Sequence, residues 1–126
     1  IALNLINKMK KKNIKIRGAK ILIMGLTFKE NCADIRNSGI KSVITKLKKN
    51  KCNLDLYDPW TDKKEIKKTY DIFPISKLKK NTYDSILIAV AHEKFKTMGI
   101  KFISNLCKKK NIIFDLKFLF SENNIY

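Results

Sequence analysis

The spacing of apolar residues alternates along the chain between a helical period and short continuous runs. The first dozen residues repeat at i, i+3, i+4 and i+7, which predicts an amphipathic helix with Ala2, Leu5, Ile6 and Met9 on one face. Apolar runs at 20–24 and 84–91 predict buried strands, and alternation over 53–57 predicts another. Helical spacing returns over about 38–47, 62–69 and 100–109.

This alternation of strands and helices predicts an α/β fold with an open, mostly parallel sheet and helices on both faces. A short extended piece around 71–73, followed by Pro74, predicts a further strand at an edge of the sheet. The last strand is predicted over 111–116. A chain of 126 residues without internal repeats is long enough to bury one core.

The most informative stretch runs from Lys20 to Ser38, where a buried strand leads through Gly25 into a polar loop and then into a helix. Such a layout is typical of α/β proteins that bind an anionic ligand at the carboxyl ends of their strands. The loop carries Lys29 and Arg36, a charge pattern that suits a diphosphate. The alternative is a surface ion pair of Asp34 with Arg36 and a solvated Lys29, and residue chemistry alone leaves the two equal.

The net charge of +17 comes almost entirely from lysine, since arginine occurs only at Arg17 and Arg36. Lysines are spread over helix ends and polar faces instead of one stripe, so we do not expect nucleic-acid binding. No apolar run approaches the length of a membrane span, so we expect no membrane partner. The chain begins with Ile and carries no signal peptide, which predicts an internal or C-terminal piece of a longer cytoplasmic protein.

Several other polar residues leave their roles open. The three cysteines are widely spaced and His92 is the only histidine, so the sequence predicts no metal site and no catalytic residue. Cys32 has no visible base beside it. Asp58 can bind a ribose hydroxyl or simply end a strand, and His92 can contact a ligand or be structural. Trp60 is most simply a packing residue at a domain or subunit edge.

Four motifs resemble one family in order and in spacing. They are GLTFKENCADIRNS at 25–38, YDPW at 57–60, AVAHEKF at 89–95 and IFDLK at 113–117. Together they resemble the C-terminal, UDP-binding domain of the UDP-glucose/GDP-mannose (nucleotide-sugar 6-) dehydrogenases over nearly the whole chain. The NCxDIRNS form is most similar to the branch that oxidises UDP-N-acetylglucosamine or UDP-N-acetylgalactosamine, as in Vi-type polysaccharide synthesis.

The resemblance implies a three-layer, Rossmann-like domain over 18–126, preceded at 1–17 by the end of a central inter-domain helix. It implies a UDP-sugar substrate, oxidation of its C6 alcohol to a uronate, and NAD bound mainly by an N-terminal domain that this chain lacks. It also implies a homo-oligomer formed through the central helix. Because GLTFKE is not GxGxxG and the family's catalytic cysteine has no counterpart here, the chain alone is predicted to be inactive.

The resemblance also assigns residues. Phe28 and Lys29 match the pair that contacts the nucleotide sugar, and Arg36 matches the arginine that reaches NAD. Lys117 falls where some members place an arginine near the substrate, although it departs from that arginine. Two other hypotheses remain: a stand-alone nucleotide-binding or regulatory module, and a basic nucleic-acid-binding domain.

Overall fold

The computed structural model of the chain describes residues 2–26, 40–90 and 92–115. Within these ranges it contains four strands and five helices. In chain order they are α1 (Ala2–Lys11), β1 (Lys20–Met24), α2 (Ile40–Lys49), β2 (Asn53–Tyr57), α3 (Lys63–Tyr70), β3 (Tyr83–Ile88), α4 (Glu93–Met98), α5 (Ile100–Ser104) and β4 (Cys107–Asp115). None of the helices in the described ranges has the length and apolar character needed to span a membrane.

The four strands form one sheet in the order β2-β1-β3-β4, and every neighbouring pair is parallel. Ile23 pairs with Leu56 on one side and with Leu87 on the other, and Leu87 pairs in turn with Phe114. The predicted open, parallel sheet is therefore confirmed.

Helices cover both faces of this sheet, as predicted. Ile21 and Ile23 of β1 belong to a core cluster with the buried residues of α1, α2 and α3. Leu22 and Met24 point the opposite way, because successive side chains of a strand alternate, and they join a second cluster with α4 and α5. The molecule thus has three layers with an apolar core on each side of the sheet.

Strand order reverses at β1, since the chain passes from β1 to β2 on one side and returns to β3 on the other. In open α/β sheets, ligands bind outside the carboxyl ends of the strands at such a reversal. The fold therefore directs attention to the residues that follow β1 and β3.

Helix α1 buries Ala2, Leu5, Ile6 and Met9, which confirms the predicted stripe. Its C-terminal end is tied to β4, because Lys12 Nζ donates a hydrogen bond of 2.9 Å to the Asn111 carbonyl. The division of the chain into an inter-domain helix at 1–17 and a domain at 18–126 stays a prediction.

The predicted edge strand around 71–73 is wrong. Asp71 adopts the left-handed conformation (φ 59°) and caps α3, donating its N–H to the Lys67 carbonyl. A residue in that conformation turns the chain out of both helix and strand, and Phe73 is left 60% exposed. The cap at the other end of α3 is Asp62, whose side chain accepts from the Lys64 N–H.

The boundary between the last helix and the last strand also differs from the prediction. Helix α5 ends at Ser104 instead of about residue 109, and β4 begins at Cys107 instead of residue 111. The amides of Thr82 and Tyr83 both donate to the Leu106 carbonyl, and Tyr83 pairs with Cys107, so β4 starts there. The register shifts between this pair and the next, Ser85 with Ile112, and the lysine run 108–110 lies in that irregular part of the edge strand. Exposed lysines are a common protection for such an edge.

Candidate functional site at the carboxyl edge of the sheet

We call the carboxyl edge the side of the sheet where the four parallel strands end. The last strand residues there are Met24, Tyr57, Ile88 and Asp115. Polar side chains that follow or end these strands are unusually buried: Asp58 is 7% exposed, His92 0% and Asp115 3%. Buried polar side chains need partners, so their contacts reveal how this edge is built.

Gly25 and Val90 bring the chain segments after β1 and β3 into direct contact. Gly25 has φ +96°, and a Cβ added to it would lie 2.8 Å from Val90 Cβ and 3.0 Å from the Val90 backbone nitrogen. Only glycine fits both the conformation and this space. The close approach at Gly25 is thus made by the protein's own chain, at the point where strand order reverses.

The carboxylate of Asp58 accepts two short hydrogen bonds from backbone amides. Oδ2 accepts from the Leu26 N–H at 2.8 Å, and Oδ1 accepts from the Trp60 N–H at 2.8 Å. The first bond joins the end of β1 to the end of β2, and the second closes the turn in which Pro59 follows Asp58. Because both oxygens are engaged by the protein and are shielded from solvent, the structure favours the strand-ending role of Asp58 over the ribose-binding alternative.

His92 extends this polar cluster to the end of β3. Its Nε2 lies 3.6 Å from Asp58 Oδ2, and neither side chain is exposed to solvent. The His92 ring also meets the Phe95 ring edge-on at 5.3 Å and lies 6.1 Å from the Trp60 ring. Buried in this way, His92 fits a structural role better than that of an exposed proton carrier.

Trp60 forms the outer surface of the cluster. It is 47% exposed, whereas the backbone on which it stands is fixed by the Asp58 carboxylate. The cluster of Asp58, Trp60 and His92 therefore joins a buried polar centre to an aromatic surface at the carboxyl edge.

The described cysteines are not suited to nucleophilic chemistry. Burial raises the pKa of the Cys52 thiol, and burial together with the nearby Asp84 charge raises the pKa of Cys107 to about 12. Both thiols therefore stay protonated at neutral pH, whereas the nucleophilic form is the thiolate. Within the described ranges, no group of three or more His, Cys, Asp or Glu side chains is placed to hold a metal ion.

Comparison with known proteins identifies the family. Residues 22–122 match the model described as UDP-glucose/GDP-mannose dehydrogenase family, UDP binding domain. The chain belongs to this family.

Curated relatives agree with this assignment and with the branch that the motifs resemble. The chain is 45% identical to the UDP-N-acetyl-D-glucosamine 6-dehydrogenase of Salmonella typhi over 91% of its own length and 27% of that protein. It is 39% identical to the protein of the same name from Pseudomonas aeruginosa, over 94% of the chain and 28% of the relative. The chain thus spans only about a quarter of the length of these relatives.

A solved structure supports the fold. The NDP-N-acetyl-D-galactosaminuronic acid dehydrogenase from Methanosarcina mazei Go1 superposes with a TM-score of 0.75 at 17% identity, over 89% of this chain and 23% of that one. The predicted Rossmann-like architecture is therefore confirmed as that of this UDP binding domain.

The four residues assigned from the motifs lie outside the described residues: Phe28, Lys29 and Arg36 fall in 27–39, and Lys117 falls in 116–126. The same holds for Cys32 and Asp34. Chain continuity nevertheless fixes where both segments start. Segment 27–39 starts after Leu26 and segment 116–126 after Asp115, two buried residues at the carboxyl edge of this UDP binding domain.

Sequence reasoning did not identify the Asp58 bond to Leu26. The signal in the sequence was an Asp-Pro pair directly after a strand, which indicated a strand end. The partner amide lies 32 residues earlier in the chain, and it becomes adjacent only because β1 and β2 are neighbours in the sheet.

Proposed function

We propose that this chain is the UDP-sugar-binding, C-terminal part of a longer NAD-dependent nucleotide-sugar 6-dehydrogenase. The enzyme would oxidise the C6 alcohol of a UDP-hexose or UDP-N-acetylhexosamine to a uronate for surface polysaccharide synthesis in the cytoplasm. The observation that carries the proposal is the match of residues 22–122 to the family's UDP binding domain. Relatives named UDP-N-acetyl-D-glucosamine 6-dehydrogenase favour the N-acetylated substrate.

The contacts of Leu26 at the carboxyl edge support a substrate role for Phe28 and Lys29. These residues follow Leu26, whose amide is held by Asp58 and whose side chain is fully buried. The anchored Leu26 fixes the point at the carboxyl edge from which the chain continues to these residues. Lys29 would place an ammonium on the diphosphate, and Phe28 would contact the nucleotide sugar.

Arg36 and Lys117 complete the proposed set of site residues. Arg36 would reach the NAD of the same active site, and its planar guanidinium suits a dinucleotide phosphate. Lys117 follows buried Asp115 by two positions and would lie near the substrate with a single ammonium in place of the family's arginine.

The described residues do not form a complete NAD site on their own. Gly25, the glycine after β1, is used for contact with Val90, where a dinucleotide-binding strand-to-helix turn would bring its glycine to the pyrophosphate. This supports binding of NAD mainly by an N-terminal domain. When bound, NAD accepts the hydride, while this chain would contribute Arg36 and hold the sugar nucleotide.

The shape of α1 supports its assignment as the end of a central helix. One face of α1 is buried in this domain, whereas Leu3 on another face is 61% exposed. An exposed leucine on an amphipathic helix is available to a second copy, which agrees with the proposed homo-oligomer.

A binding screen of UDP-sugars against the full-length protein tests this proposal. We expect one UDP-hexose or UDP-N-acetylhexosamine to bind, with UDP-N-acetylglucosamine the first candidate, and we expect binding to fail in the Lys29→Ala variant. Equal binding of the two proteins to every UDP-sugar would refute the role of Lys29. Absence of any UDP-sugar binding by the unmodified protein would refute the proposed function.

A further inference from the structure

A second cationic feature lies at the opposite end of the sheet, where the strands begin. A cavity of about 460 Å³ opens there between the link that follows α1 and the start of β4. Its charged lining residues are Lys15, Arg17, Asp84, Lys108, Lys109 and Lys110. The cavity contains Arg17, the arginine for which the proposed dehydrogenase role has no use.

Among the described residues that line this cavity, the one carboxylate is already occupied. Asp84 Oδ2 accepts a hydrogen bond from the Lys20 backbone amide at 2.9 Å, and Oδ1 lies 3.3 Å from Lys108 Nζ. The Asp84 side chain is only 17% exposed, so it belongs to the floor of the cavity and anchors Lys108. It is therefore not available to neutralise the other cations.

Of the remaining cations, Lys110 has a structural task because its Nζ donates to the Asn13 carbonyl at 3.1 Å. No hydrogen bond or ion pair within the described ranges engages the charged groups of Lys15, Arg17 and Lys109. Five cationic side chains thus surround one carboxylate, and three of the five have no protein partner in that part of the chain. Like charges gathered in a concave site repel one another, and a bound anion relieves that repulsion.

The cavity differs from the lysine-rich surface elsewhere in two respects. It is an open depression in the surface, with a volume of about 460 Å³, and it carries an arginine in a chain with only two. A guanidinium presents a fork of donors that matches two phosphate oxygens at once, whereas an ammonium acts as a point charge.

We propose that this amino-edge cavity binds a polyphosphate group, held by Arg17 together with Lys15 and Lys109. A di- or triphosphate carries the multiple negative charges needed to balance the cation excess. The group can come from an inorganic polyphosphate or from a nucleotide. Its site is separate from the carboxyl edge, since it lies where Lys20 and Cys107 begin their strands. An occupant would tie the end of α1 to β3 and β4.

Titration of the 126-residue chain with inorganic tripolyphosphate, followed by backbone amide NMR, tests this proposal. We expect shifts at residues 14–19 and 108–110 and much smaller ones at Leu26 and Trp60, which lie at the carboxyl edge. A parallel titration with ATP identifies the source: comparable affinity indicates the polyphosphate group alone, and tighter binding of ATP indicates a nucleotide. Either result supports the proposal if the shifts map to the amino edge.

Matched variants separate this site from general attraction to lysines. Arg17→Gln with Lys109→Gln should weaken tripolyphosphate binding by about tenfold or more, because two charge-assisted contacts are lost. Lys64→Gln with Lys68→Gln removes the same charge from exposed positions of α3 and should change the affinity by less than about twofold. Equal weakening by both pairs, or shifts confined to the carboxyl edge, would overturn the proposal. So would tighter binding of single-stranded DNA that tripolyphosphate cannot displace.

Discussion

Asp58 Oδ2 accepts a hydrogen bond of 2.8 Å from the backbone amide of Leu26 in a buried setting. This one bond ties the residue that follows β2 to the last described residue before segment 27–39. The same oxygen lies 3.6 Å from His92 Nε2, so the ends of three neighbouring strands meet at one carboxylate. The start of the proposed substrate segment is therefore fixed by residues that we do not expect to touch the substrate.

Replacing Asp58 by asparagine should destabilise the fold. Asparagine keeps only one oxygen, so one of the Leu26 and Trp60 amides loses its acceptor and the contact with His92 loses a charge. We expect the free energy of unfolding to fall by about 1–3 kcal/mol in urea titrations.

The matched control is Asp62→Asn at the exposed N-cap of α3, since asparagine caps helices about as well as aspartate. This variant should differ from the unmodified chain by less than about 0.5 kcal/mol. Equal effects of the two substitutions would contradict the role given to Asp58.

The contact between Gly25 and Val90 predicts a cost for any added side chain. Gly25→Ala and Gly18→Ala both place alanine at a positive φ, +96° and +83°, so the backbone strain is similar. Only the Gly25 variant also meets atoms of Val90, because nothing lies within 4 Å of a Cβ at Gly18. Thermal or urea unfolding should find Gly25→Ala less stable than Gly18→Ala by about 1–3 kcal/mol. Similar stabilities would mean that the two segments separate without cost.

The elements of the sheet were predictable because their signals are local. The apolar run at 84–91 indicates a buried strand, and the helical repeat near the start of the chain indicates a helix with one buried face. β3 and α1 form in these two stretches. The lysine run 108–110 was different. It lies in an irregular part of β4, between Cys107, which pairs with Tyr83, and Ile112, which pairs with Ser85, and no periodicity of its own indicates a strand there.

The candidate site was predictable only in part, for the same reason. Gly25 and Asp58 could be singled out by residue type, since glycine after a strand and Asp-Pro at a strand end each have a local meaning. Their partners Val90 and Leu26 could not, because these contacts exist only once β1 lies between β2 and β3. The residues assigned from motifs, Lys29 foremost, rest on resemblance and stay predictions.

The raised pKa of Cys107 predicts how stability depends on pH. The ordinary value of 9.0 rises to about 12 in the folded chain, mainly through burial, so the folded state holds this proton more tightly than the unfolded state. The contribution of this protonated thiol to the free energy of unfolding is fully present below pH 9. It is lost as the pH rises towards 12, by at most about 1.4 kcal/mol per pH unit.

The measurement is the free energy of unfolding of the unmodified chain and of Cys107→Ala between pH 8 and pH 11. Lysine titration affects both proteins alike, so the difference between them isolates the thiol. The advantage of the unmodified chain should shrink as pH rises. A constant difference would mean that the thiol titrates equally in both states.

The isolated chain should not reduce NAD with any UDP-sugar. Cys52 and Cys107 are buried thiols with raised pKa values, and the sequence contains no GxGxxG fingerprint. Absorbance of NADH at saturating UDP-N-acetylglucosamine and NAD measures this directly, with the full-length protein as the positive control. Turnover by the 126-residue chain would contradict the proposal that catalysis needs residues of a longer protein outside this chain.

The central claim is that Lys29 and Arg36 serve different ligands in one shared active site. Calorimetric titration of the full-length protein with UDP-N-acetylglucosamine, and separately with NAD, tests it in three variants: Lys29→Ala, Arg36→Gln and the exposed control Lys46→Ala. We predict that Lys29→Ala weakens binding of the sugar nucleotide by about tenfold or more and leaves the affinity for NAD unchanged. Arg36→Gln should do the reverse, and Lys46→Ala should alter neither. This division of roles would be contradicted if each of the two site variants lost binding of both ligands. It would also be contradicted if neither variant lost binding of either ligand.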